Sequence, residues 1–149
     1  MNILFLCHGN ICRSPMAEFI MKHELKTRGL NGHYVWSRSA RTDEIGSDTY
    51  PPARRTLSAH GVPFSPHSAT LITQADFDKA DLVLIMDEEN ARDMRRRFGE
   101  SEKVQKLMTL VGLDRDVADP WYTRDFELTY DDIRRSCSAL ADFLEKTAK

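Results

Sequence analysis

Apolar positions in this chain fall into short continuous runs, separated by stretches with helical spacing. Asn2–Leu6 is the first run. It is continuous rather than alternating, which predicts a strand buried on both faces of a parallel sheet. Tyr34–Ser39 and Leu82–Met86 predict further strands, and Val104–Met108 a fourth. Ser14 as N-cap and Pro15 as first helical residue predict a helix to about Arg28. Met16, Phe19, Ile20 and Met21 form its apolar side, and Gly29 stops it. Pro51 and Pro52 start a second helix that Gly61 ends. Thr73 with Asp76 resembles a capping box for a short helix near Gln74–Lys79. Glu88–Phe98 predicts a helix stopped by Gly99. The last helix is expected from about Tyr130 to Lys146, capped by Thr129, with Asp131 and Asp132 at its positive end. Arg41–Tyr50 and Val111–Leu128 read as irregular loops, and a loop as long as the second is often functional.

Strands alternating with helices predict an α/β sandwich on a parallel sheet, with residues 1–149 as one domain. Ligands of such sheets sit beyond the carboxyl ends of the strands, at the topological switch point. Cys7 stands at the end of the first strand. Other features read as structural. Cys137 lies on the stripe Ile133, Cys137, Leu140, Ala141, Leu144 and should face the core. Arg92, Arg95, Arg96 and Arg97 accompany Asp93 on what reads as a solvated face. Trp36 should pack a strand against a helix.

The composition narrows the partners. The net charge of −2 supplies no basic field for nucleic acid or an anionic membrane, so any anion must be bound locally. No apolar run approaches the roughly 20 residues of a membrane span. The N-terminus lacks the basic start and cleavage site of a signal peptide. Three cysteines, an odd number, do not suggest a secreted disulfide framework. A reduced, cytoplasmic protein is expected.

The chemistry concentrates in Cys7-His8-Gly9-Asn10-Ile11-Cys12-Arg13-Ser14-Pro15. Thiols beside Arg or at a helix N-terminus ionise more readily than free ones, and both features follow Cys7. Gly9 and Asn10 tolerate the backbone angles that turn successive N–H groups inward, forming an anion nest. Arg13 can grip two oxygens at once, which Lys cannot. Ser14 can hydrogen-bond the thiolate. The pattern therefore predicts a loop, His8 to Ser14, that binds a tetrahedral dianion above a nucleophile. Cys-x5-Arg alone occurs by chance, and Cys7 would then be a small buried hydrophobe. The buried strand before it and the helix start after it supply the context the motif needs. A zinc site from Cys7, His8 and Cys12 has the wrong spacing, so neither metal nor cofactor is expected.

This stretch, continued by Met16-Ala17-Glu18, resembles the signature of the low-molecular-weight protein tyrosine phosphatases, and the likeness covers essentially the whole chain. Asp119-Pro120, followed by Trp121 and Tyr122, resembles the family's late Asp-Pro pair. Met86-Asp87-Glu88-Glu89-Asn90 resembles its stretch after the third strand. The resemblance implies a flavodoxin-like fold with a four-stranded parallel sheet and hydrolysis of phosphotyrosine in protein substrates without metal. It makes Cys7 the nucleophile that carries a phosphocysteine, Arg13 the phosphate clamp and Asp119 the general acid, later the base. It also implies a supporting network of Asn10, Ser14, Ser39 and His67, a strained backbone angle at Asn10, and a redox role for Cys12 beside Cys7. Ile11, Trp121 and Tyr122 would line the substrate cleft, and phosphate, vanadate or arsenate would inhibit. The opposite wall should come from Arg41–Tyr50, where this chain departs from the family. It reads Ser39-Ala40-Arg41-Thr42 for the usual Ser-Ala-Gly-Thr, and it lacks the aromatic that follows in relatives, with Tyr50 as the possible substitute. Two other activities use a similar loop. Protein arginine phosphatases carry Thr where Ile11 stands. Thioredoxin-coupled arsenate reductases need further cysteines after the third strand, and none lies between Cys12 and Cys137.

Overall fold

The computed structural model describes residues 1–148. Four parallel strands, β1 (Asn2–Cys7), β2 (Tyr34–Ser39), β3 (Leu82–Ile85) and β4 (Val104–Lys106), form one sheet in the order β2-β1-β3-β4. The expected four-stranded parallel sheet is thus present. Alternate residues of β1 feed two apolar layers. Ile3, Phe5 and Cys7 pack with α1 (Arg13–Thr27), α2 (Pro51–Ala59) and the last helix, whereas Leu4 and Leu6 pack with Trp36, α3 (Gln74–Lys79) and α4 (Glu88–Phe98). Both faces are buried, which is why the run is continuous. Because β1 lies between β2 and β3, the chain reverses direction of growth there, and the switch point falls beyond Cys7 and Ile85. The capping box at Thr73 and Asp76 is formed. No helix among the described residues is long and apolar enough to cross a membrane.

Three boundaries differ from the sequence reading. Helix α1 begins at Arg13 with Cys12 at its N-cap position, so Ser14 lies inside the first turn and caps nothing. Its hydroxyl is engaged by the Cys7 thiol instead. The fourth strand ends at Lys106. Leu107 and Met108 then enter a 3-10 turn, Leu107–Val111, which buries both side chains beside the last helix. The long segment before that helix contains a short helix, α5 (Pro120–Thr123), and the last helix, α6, spans Phe126–Thr147. The Asp125 carboxylate caps it by accepting from the Leu128 amide at 3.0 Å, while Thr129 donates to the Ala118 and Asp125 carbonyls. Asp132 is no helix-end charge. It is buried and accepts two bonds from Arg115 at 2.9 and 2.8 Å. Cys137 is fully buried in the core.

Candidate active site

Strand β1 delivers Cys7 to the floor of a loop closed by the N-terminus of α1. The sulfur is buried and lies 3.0 Å from Ser14 Oγ, and it accepts N–H bonds from Asn10 at 3.3 Å and Ser14 at 3.4 Å. Two main-chain N–H donors thus converge on that atom, with the Ser14 hydroxyl in hydrogen-bond reach of it. Asn10 makes the turn possible. Its φ is 62°, a left-handed angle that Asn tolerates. Its side chain is fully buried and donates to Ser14 Oγ (2.7 Å) and Ser37 Oγ (3.0 Å), and accepts from the Thr70 amide (3.2 Å). His67 Nε2 lies 2.9 Å from the Asn10 carbonyl.

Two expectations for this loop need correction. Ser39 is not joined to it through its hydroxyl, which is buried without a hydrogen-bond partner among the described residues. Ser37, two residues back on β2, takes that place and donates to the buried Glu18 at 2.7 Å. The alternation of a strand puts residues 37 and 39 on one face, so sequence cannot separate them. Gly9 does not adopt a positive φ. A Cβ there would come within 3.4 Å of Glu44 Cγ, so its value is close approach to the neighbouring loop.

Arg13 is 2% exposed and fixed by three acceptors: Asp87 Oδ2 at 2.9 Å, the Val117 carbonyl at 2.8 Å and Asp119 Oδ2 at 3.4 Å. Burial opposes its charge, but Cys7, Asp119 and Asp87 outweigh burial and hold its proton more firmly than usual. Asp87 is the N-cap of α4, and Asp119 caps α5 through the Trp121 amide at 3.0 Å. The role of Asp87 escaped the sequence reading. Its signal was an Asp that ends a strand at the switch point and caps the next helix.

Cys7 and Arg13 form the floor of a cleft of about 150 Å³. Asp119, Trp121 and Tyr122 make one wall, and Ile11 contributes from the loop. Trp121 is 40% and Tyr122 82% exposed, so both offer ring surface to a ligand. The opposite wall is made of carboxylates, Asp43 and Glu44. Tyr50 does not supply it. Its ring packs behind Trp121, centroids 4.9 Å apart, and its hydroxyl accepts from Arg124 at 3.1 Å, bracing the aromatic wall. Cys12 lies buried beside the cleft. Burial, with Cys7 and Asp119, keeps its thiol protonated against the opposing pull of Arg13 and Arg124. His8 bridges two carboxylates, with Nε2 2.5 Å from Asp43 and Nδ1 2.7 Å from Glu89. Such a cleft can seat a tetrahedral dianion on the sulfur, with a carboxyl group beside the oxygen that would leave.

Residues 2–149 match the family described as low molecular weight phosphotyrosine protein phosphatase. The chain is 35% identical over 150 residues to the low molecular weight protein-tyrosine-phosphatase PtpA of Staphylococcus aureus (strain Newman), covering 99% of this chain and 96% of that protein. Among solved structures it is similar to YfkJ from Bacillus subtilis, with TM-score 0.94 and 30% identity over 100% of this chain and 97% of that one. It is also similar to a variant of the arginine phosphatase YwlE with a phosphorylated active-site serine, with TM-score 0.89 and 30% identity over 98% and 97% of the two chains.

Proposed function

The chain belongs to the low molecular weight phosphotyrosine protein phosphatase family, and we propose that it hydrolyses phosphotyrosine in proteins through a phosphocysteine on Cys7. The observation that carries this reading is one cleft that holds a thiol, a buried guanidinium and a carboxyl group together. The phosphoryl group sits with its oxygens on Arg13 and the loop N–H groups, Gly9 to Ser14. The 3.4 Å contact between Arg13 and Asp119 is weak enough to be exchanged for a phosphate oxygen. Cys7 sulfur attacks phosphorus, the P–O bond to the tyrosine breaks, and Asp119 protonates the leaving oxygen. The Asp119 carboxylate then takes a proton from water, which attacks phosphorus and releases phosphate as the P–S bond breaks. Ser14 Oγ donates to the departing thiolate. Help of this acid–base kind is typically worth ~10²- to 10⁴-fold.

Ile11, Trp121 and Tyr122 favour a flat apolar ring over the short stems of phosphoserine. Ile11 is apolar and lines the cleft, which suits phosphotyrosine better than the guanidinium of phosphoarginine. Vanadate and arsenate, tetrahedral like phosphate, should occupy the same loop and inhibit. The test is phosphate release from phosphotyrosine, phosphoserine and phosphoarginine peptides, with chelator present and Cys7→Ser as control. Fast Cys7-dependent release from phosphotyrosine is expected. A preference for phosphoarginine would overturn the substrate, and no release from any peptide would overturn the reaction.

A further inference from the structure

We propose that His8, bridging Asp43 and Glu89, is a positioning residue that holds the carboxylate wall of the cleft in place, and that this hold is released when His8 loses its proton. The proposal rests on the phosphatase reading for its catalytic consequence and on geometry alone for the bridge. Ionised carboxylates only accept hydrogen bonds. Each ring nitrogen of His8 faces one, at 2.5 and 2.7 Å, and both contacts to ionised carboxylates are hydrogen bonds only when both nitrogens carry hydrogen and the ring is an imidazolium. Burial works against that charge, but the bonds to Asp43 and Glu89 outweigh it and raise the pKa of His8 above 6.5. The bond to His8 in turn holds the Asp43 carboxyl below its ordinary value.

The two ends of the bridge differ. Glu89 lies in the first turn of α4, which is anchored by its Asp87 cap and by Asn90 Oδ1 on the Met86 amide. Asp43 lies on the loop between β2 and α2. That loop is pinned by main-chain bonds at Arg41 to the His8 carbonyl and at Gly46 to the Ala69 carbonyl, with turns of its own between them. The bridge therefore fastens the loop to the rigid element. The other charges nearby are Arg41, paired with Asp93 and more distantly with Glu89, Glu44 on the same loop, and the Cys7 sulfur one residue away. Deprotonation leaves one ring nitrogen facing a carboxylate, acceptor against acceptor. It also removes the positive charge of His8 from beside Asp43 and Glu44 on the cleft wall, leaving Arg41 as the nearby cation, and the added negative balance opposes an incoming phosphate dianion. Since the folded pKa is raised, the stabilisation is fully present below the unfolded value of about 6.5 and is lost as pH rises through the folded value.

Two measurements test this on the intact protein. The first follows the His8 ring nitrogens by NMR, together with amide exchange of residues 42–46, across neutral pH. The second determines KM and kcat for a phosphotyrosyl peptide over the same range, in the native protein, Glu89→Ala and Glu89→Gln. A ring that is doubly protonated on the acid side of its midpoint, with that midpoint above 6.5, is expected, with faster exchange and a roughly two- to fivefold rise in KM at one shared midpoint and kcat following the catalytic groups alone, the scale of a partly exposed charged bond. Glu89→Ala should show the high KM throughout. Glu89→Gln, whose amide can accept from or donate to the ring, should lose the pH step. A ring midpoint at or below 6.5, or exchange and KM that ignore the His8 titration, would overturn the proposal. If the protein releases no phosphate from the peptide, the phosphatase reading fails while the NMR and exchange data still decide the bridge.

Discussion

Replacing Asn10 tests whether the anion loop is held by one residue's backbone angle and its side chain together. Asn10→Ala removes three side-chain hydrogen bonds, at 2.7, 3.0 and 3.2 Å, from a fully buried position. At about 1 kcal/mol net for each, these amount to about 3 kcal/mol. Alanine at φ 62° adds roughly 1 kcal/mol, because its Cβ crowds the carbonyl where Asn is tolerated. The total is about 4 kcal/mol, or ~8–16 °C in melting temperature for a chain of this length. Asn10→Gly loses the same bonds but escapes the strain, and its extra unfolded-state freedom takes back only part of that gain. Glycine should therefore be the more stable variant by up to about 1 kcal/mol. Urea unfolding followed by fluorescence of Trp36 and Trp121 measures both. Each variant should also lose about 10²-fold in kcat/KM, since the N–H donors of the loop shift relative to the sulfur. An alanine variant as stable as the glycine one would refute the role of the backbone angle. A cost under 1 kcal/mol for both would refute the role of the side chain.

Two further substitutions probe the supporting layer and the acid. Ser37→Ala should cost ~1–3 kcal/mol, because it leaves the buried Glu18 carboxylate and the Asn10 amide each short of a partner, whereas Ser39→Ala should be neutral within about 0.5 kcal/mol; paired thermal melts distinguish them. Asp119→Asn should lower kcat by ~10²- to 10⁴-fold, most for substrates with poor leaving groups, with only a small fall in melting temperature, because Asn caps α5 as well as Asp does while the long 3.4 Å contact to Arg13 loses its charge. A variant that is equally slow on good and poor leaving groups would remove Asp119 from the proton-transfer step.

Much of this molecule is legible along the chain because the signals are local. The continuous run Asn2–Leu6, the prolines at 51 and 52, the capping box at Thr73 and Asp76 and the glycine stop at Gly99 each act on their own neighbourhood, and the elements they announce are present. The cysteine at the end of a buried strand and the arginine at the next helix start are likewise brought together by a few residues of chain. The tertiary structure decided what depends on partners far away in sequence. Only the fold shows that Ser14 turns to a thiol seven residues back rather than capping its helix. Only the fold chooses Ser37 over Ser39 for the Asn10 amide, because both point the same way from β2 and the choice lies with Glu18 on α1. Arg13 finds Asp87, 74 residues away, because β3 runs beside β1. The carboxylate wall at Asp43 and Glu44, and the His8 ring between Asp43 and Glu89, follow from the same crossing of loops over the switch point. A side chain's hydrogen-bonding capacity is a property of its residue type, but which partner it meets is fixed by the packing that removes water from both.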